Sequence, residues 1–177
     1  HNLIKRSSAA HLEGFYYRPR VDRELLEQYS DGIIALSGCP SGELMGALRD
    51  GRDEDALAVA AWYRDVFPGR YYLEMQEHGQ EQFSRLMPGL VDVSKQLDLP
   101  LVVTNDSHYT SPEQHHAHDV LLCIGTNSTV HDANRFSLEG ESFYLKSEEE
   151  MRALFPELPQ AADNTALIAE QIDIKLE

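Results

Sequence analysis

Two apolar runs in this chain end in side chains able to ligate a metal. Leu101-Val102-Val103-Thr104 leads into Asn105-Asp106-Ser107-His108-Tyr109, and Gly32-Ile33-Ile34-Ala35-Leu36-Ser37 leads into Gly38-Cys39. In an extended backbone alternate residues face the same side, which places the Asp106 carboxylate and the His108 imidazole together at a strand end. Gly38 lets the backbone turn sharply beside Cys39. Oxygen, nitrogen and sulfur donors at two strand ends suggest one shared pocket. Taken singly, each motif has a plainer reading: Cys39 as an ordinary buried thiol and Asp106 as a turn residue.

Other polar side chains leave two readings open. Arg18 and Arg20 flank Pro19 beside Tyr16 and Tyr17, where they could meet a substrate phosphate or form surface ion pairs. His78 follows an apolar run and could orient a ligand from behind. His118 precedes Asp119 in a helical pattern, as a hydrogen-bonded structural histidine or as a ligand. His115, His116 and His131 read as exposed, and Cys123, inside Val120-Leu121-Leu122-Cys123-Ile124, reads as core.

The elements that must position these groups belong to a chain of 177 residues, the size of one common domain. With 15 basic and 30 acidic residues the formal charge is −15, which opposes broad contact with a phosphate backbone. The acidic residues, as in Glu148-Glu149-Glu150, read as solvated helix faces. Two cysteines are too few for a disulfide scaffold and fit a reducing compartment. The opening residues His1 to Ser8 lack a signal peptide's apolar core, and no run approaches a membrane span, so the expectation is a soluble cytoplasmic protein.

Helical and strand periods alternate. Val21 to Tyr29 predicts a helix capped by Asp22, then comes a strand from Ile33 to Leu36 and a short helix from Leu44 to Arg49. Asp53-Glu54-Asp55 opens a longer helix, with Trp62 on its packing face, stopped by Pro68-Gly69. A strand follows at Arg70 to Met75, then a helix from Glu81 to Leu97 that Pro88 is expected to kink or split. Ser111-Pro112-Glu113 predicts a cap and first turn of a helix through Leu122. Gly125 to Gly140, rich in Asn, Ser, Thr, Asp and Gly, reads as a long loop. Phe143 to Leu145 reads as extended, Ser147-x-x-Glu150 as a capping box, and Gln160 to Ile172 as a final helix. The fold class is α/β with a mainly parallel sheet or barrel, whose carboxyl-terminal strand ends carry the site.

Several separated motifs in a fixed order carry a specific resemblance. Asn2-Leu3-Ile4-Lys5, Ala10-His11-Leu12-Glu13-Gly14-Phe15-Tyr16-Tyr17-Arg18-Pro19-Arg20-Val21-Asp22 and Ala35-Leu36-Ser37-Gly38-Cys39 come first. Tyr72-Leu73-Glu74, His78-Gly79, Thr104-Asn105-Asp106-Ser107-His108-Tyr109, Ala117-His118-Asp119 and Phe143-Tyr144-Leu145-Lys146-Ser147 follow. The whole set resembles the PHP domain, of polymerase and histidinol phosphatase type, of the bacterial replicative DNA polymerase III alpha subunit.

This resemblance implies part of a distorted parallel (β/α) barrel lacking its first strands. Residues 1–177 would form the carboxyl-terminal portion of a PHP domain, with about 147–177 a helical segment leading towards the polymerase core. Carried over residue by residue, the metal ligands are His11, Cys39, Asp106 and His108; the family's opening His-x-His has no counterpart here, so the site is expected to be incomplete. Mixed His, Cys and carboxylate donors suit zinc, with manganese or iron where carboxylates dominate. In the intact family domain the implied chemistry is 3′–5′ exonuclease proofreading, and nucleotidyl transfer belongs to other domains. The implied alternative is a scaffold that stabilises the polymerase and docks its separate exonuclease subunit; a free-standing metabolite phosphatase is a third reading. The implied partners are the remaining polymerase domains, the exonuclease subunit and, through the parent protein, DNA. An incomplete barrel would expose sheet edges, so self-association is expected.

Overall fold

A computed structural model describes residues 1–38, 40–138 and 140–174. Its elements are α1 (Asn2–Leu12), α2 (Arg23–Gln28), β1 (Ala35–Leu36), α3 (Glu43–Arg49), α4 (Asp53–Val66), β2 (Tyr71–Met75), α5 (Glu81–Leu97), β3 (Leu101–Val103), α6 (His115–Thr126), α7 (Glu148–Leu154) and α8 (Pro159–Glu170), with a 3₁₀ turn at Pro112–Gln114. The strands are ordered β1-β2-β3. The described fold is α/β with a small parallel sheet. The chain forms two compact units, one from His1–Leu73 with Gly89–Pro100, the other from Glu74–Pro88 with Leu101 onward. Among the described residues no helix is long and apolar enough to cross a membrane.

In the first unit α2 starts where Asp22 caps it, its carboxylate accepting from the Leu25 amide at 2.9 Å. β1 pairs in parallel with β2, Ala35 opposite Tyr71. Arg70 fastens the approach to β1 by donating to the carbonyls of Ser30 and Ile33. The acidic first turn of α4 faces the positive end of its dipole, and the helix buries Ala56, Val59 and Ala60. Trp62 does not share that buried face. It is half-buried, with its indole N–H on Glu27 at 3.1 Å and the Arg23 guanidinium 4.7 Å above its ring. The amphipathic indole thus serves a polar surface cluster rather than the core.

No apolar stripe announces α1, because its buried positions are Ala10 and a charged residue, Arg6. The Arg6 guanidinium lies over the Phe67 ring and donates from one terminal nitrogen to the Leu26 carbonyl, while its Nε is buried without a partner. α5 runs unbroken through Pro88. Burial of Phe83 and Leu86 in the second unit and of Leu90 and Val93 in the first outweighs one lost backbone hydrogen bond.

In the second unit the Thr104 amide donates to the Met75 carbonyl, and α8 packs against β3, with Asn164 donating to the Leu101 carbonyl at 2.7 Å. The capping box of α7 is complete: Ser147 accepts from the Glu150 amide, and the Glu150 carboxylate accepts from the Ser147 amide. α6 begins close to expectation and ends later than expected. Ser111 and Pro112 stand at the cap and first turn as expected, but the serine side chain makes no cap bond and the first turn is 3₁₀; Gln114 accepts from the Thr110 amide and hydroxyl ahead of it. At the other end helix persists through Gly125 and Thr126, until Asn127 turns left-handed at φ 53°. Cys123 is buried, as expected.

Candidate metal centre

Strand β3 stops at Val103, and Asp106 adopts a left-handed conformation with φ 45°. The expected strand alternation therefore does not reach Asp106 and His108. A turn brings them together instead, with Asp106 Oδ2 3.4 Å from His108 Nε2 and both side chains partly open to solvent. Two ligands bound to one tetrahedral zinc at about 2.0–2.1 Å lie about 3.4 Å apart, so the pair already has the spacing of one edge of such a site. An anionic oxygen beside an imidazole nitrogen also suits manganese or iron in chemical type.

The turn is fastened to the segment 142–146. Asn105 donates its amide protons to the carbonyls of Ser142 at 2.9 Å and Tyr144 at 2.7 Å. Its own side-chain oxygen accepts from the Lys146 ammonium at 3.0 Å, which also donates to the Ser142 carbonyl. The amides of His108 and Tyr109 donate to the Phe143 carbonyl, and the Leu145 amide returns a bond to Tyr109. Phe143 to Leu145 is thus extended, as its sequence predicts, forming one parallel bridge between Tyr144 and Tyr109. Burial pulls the Lys146 pKa below its ordinary value.

Histidines collect around this turn. His78 is 6% exposed, stacks on Phe143 at 4.2 Å and meets Phe83 edge-on at 4.8 Å. Its Nδ1 shares a hydrogen bond with Ser142 Oγ, while Nε2 is buried without a partner. Burial first, and the Lys146 charge second, hold this imidazole below its ordinary pKa. His118 on α6 has its ring 5.2 Å from that of His108, and burial lowers its pKa too. Its neighbour Asp119 is taken by Arg135 in a two-pronged ion pair at 2.5 and 2.7 Å, which holds the carboxyl below the usual range. His115 is half-buried against Tyr109 rather than exposed; His116 and His131 are exposed.

Of the remaining assigned residues, His11, Arg18 and Arg20 belong to the first unit. His11 is exposed in the last turn of α1, in the first unit, with its ring 5.7 Å from Phe15. Cys39 lies outside the described residues. Arg18 and Arg20 are exposed, and Arg20 lies over the Tyr16 ring at 4.8 Å. Among the described residues no group of three or more His, Cys, Asp or Glu side chains is placed to hold a metal ion.

Residues 1–78 match the PHP domain family. DNA polymerase III subunit alpha of Borreliella burgdorferi is 44% identical over 172 residues, covering 97% of this chain. The proteins of the same name from Saccharopolyspora erythraea and Treponema pallidum are 44% and 43% identical over 97% and 99% of it. The chain belongs to the PHP-domain family, of the DNA polymerase III alpha type. It spans 15% of the length of each of these three relatives. Within this PHP-domain chain the Asp-x-His pair was legible from the sequence, but its clamp was not. Asn105, Ser142 and Lys146 each look like ordinary loop residues; a side-chain amide placed directly before Asp-x-His was the one local signal.

Proposed function

We propose that this chain is part of the PHP domain of a bacterial replicative DNA polymerase, a DNA-directed DNA polymerase working in the cytoplasm, and that it carries ligands for divalent metal. The observation that carries this reading is the Asp106–His108 pair at 3.4 Å, at ligand-to-ligand spacing. In it Asp106 supplies an anionic oxygen and His108 a neutral nitrogen, with His11 and Cys39 as further ligands of a barrel whose strands include β1, β2 and β3. Zinc suits these donors best, with manganese and iron as alternatives. A bound divalent ion supplies phosphate polarisation and a water of pKa about 7. In the second unit His118, its pKa lowered by burial, has its ring 5.2 Å from that of His108; in the first unit Arg18 and Arg20 are exposed and of a type that meets phosphate. The reaction is removal of nucleotides from a 3′ DNA end.

A second reading is a scaffold that docks the separate exonuclease subunit. It is supported by exposed apolar side chains on α6, Leu121 and Ile124 at 61% and 73%. One experiment separates the two. Metal content by elemental mass spectrometry is measured for this chain and for full-length polymerase, each with and without Asp106→Ala, alongside 3′ degradation of single-stranded DNA. Loss of metal and of degradation in the variant supports the metal site. Unchanged metal, with exonuclease-subunit binding insensitive to chelation, gives the scaffold the lead.

A further inference from the structure

We propose that Asn105 is the positioning residue of the Asp106–His108 pair, an inference that rests on the metal reading above. Asn105 is 8% exposed, and its side chain satisfies both amide protons and its oxygen within the second unit, on Ser142, Tyr144 and Lys146. Two residues further, the Ser107 hydroxyl bonds the same Tyr144 carbonyl at 3.2 Å, and the His108 amide bonds the Phe143 carbonyl at 2.7 Å.

Residues on both sides of Asp106 are therefore tied to one short segment, and only a tight turn spans the gap. Asp106 meets that demand with a positive φ, a conformation uncommon for L residues but tolerated by aspartate. The turn then aims the carboxylate at the imidazole. Lys146 closes a ring by bonding both Asn105 and the Ser142 carbonyl, so swinging the amide away costs this half-buried ammonium one of its two hydrogen bonds. Asn105 touches neither assigned ligand side chain; it acts through the backbone on which they stand.

The test uses the full chain and zinc. Affinity is read by competition with a chromophoric chelator, and the turn by NMR hydrogen exchange at the His108 and Leu145 amides. Asn105→Ala and Asn105→Asp, both of which lose the amide donors, are expected to weaken zinc binding by about 10–100-fold and to speed exchange at His108. Asn164→Ala removes a comparable bond from the far end of β3, and is expected to lower the melting temperature while leaving zinc affinity unchanged. Should the Asn105 variants fail to fold, Lys146→Met opens the same ring and is read in the same way. Affinity and His108 exchange both within twofold of wild type in a folded Asn105 or Lys146 variant overturn the proposal. Equal zinc affinity in Asp106→Ala and wild type instead removes the metal reading, and faster His108 exchange in Asn105→Ala then still upholds the positioning role.

Discussion

The two histidines assigned to metal, His11 and His108, rest on opposite kinds of support. His11 projects from the last turn of a helix whose outer side also exposes Leu3, Ile4 and Leu12, and its one ring contact is Phe15. Regular helix geometry alone sets where it stands. His108 sits in a non-repeating turn, where its backbone is bonded to Phe143 and its neighbours to Ser142, Tyr144 and Lys146. A ligand on a helix needs few helpers to be placed but keeps its rotamer freedom. A ligand in a turn is placed only by the groups that hold the turn, so damage to them should reach the chemistry.

The largest test of this contrast compares two buried phenylalanines. Phe143→Ala and Phe67→Ala should each cost about 3–5 kcal/mol in urea unfolding. Phe143 lies under His78 and beside His108, whereas Phe67 packs under Arg6 and Tyr63 in the first unit. Only Phe143→Ala should also weaken zinc binding; equal zinc affinity in both variants breaks the comparison.

Loss of the α7 cap is a smaller perturbation of the same region. Ser147→Ala should cost about 1 kcal/mol and, because Glu150 also accepts from the Tyr144 hydroxyl, should quicken amide exchange at Leu145. An exchange rate equal to wild type would show that the helix start and the clamp are independent.

Acid should act on the second unit through His78. Burial places its folded pKa below the ordinary 6.5, so below that value the unfolded chain gains a proton that the native state refuses. Stability is then fully present above pH about 6.5 and falls as pH drops towards the lowered folded value. The urea midpoint should decline between neutral and mildly acidic pH, and His78→Gln should flatten that decline. His118, lowered by the same cause, should leave a residual slope.

The smallest expected change in stability is at His11. His11→Ala should shift unfolding by no more than about 0.5 kcal/mol, yet metal content should fall if His11 is a ligand. Stability and metal both unchanged would confine the ligand set to other residues.

Much of the fold is legible in consecutive residues. The Asp22 cap, the Ser147–Glu150 capping box, the acidic start of α4 and the stop at Pro68-Gly69 are local chemistry, and local chemistry is written in consecutive residues. α1 escaped because its buried face includes Arg6, which a hydrophobic pattern counts as exposed. Ser111 and Pro112 hold the cap and first-turn positions that the sequence predicts, but without a serine side-chain bond, and α6 runs past the expected loop start at Gly125 until Asn127 turns left-handed.

The sequence by itself determined which groups stand near one another along the chain: Asp106 two residues from His108, ahead of a capped helix and behind an apolar strand. Tertiary structure alone decided how they meet. Strand alternation would have set the pair side by side, but the strand ends three residues before Asp106. Bonds from residues 142–146, about 40 positions away in the chain, fold the turn that brings carboxylate and imidazole to 3.4 Å. The reason is physical: helix and strand periods repeat within a segment, whereas the turn at Asp106 is held on both sides by partners far along the chain, which no local period encodes.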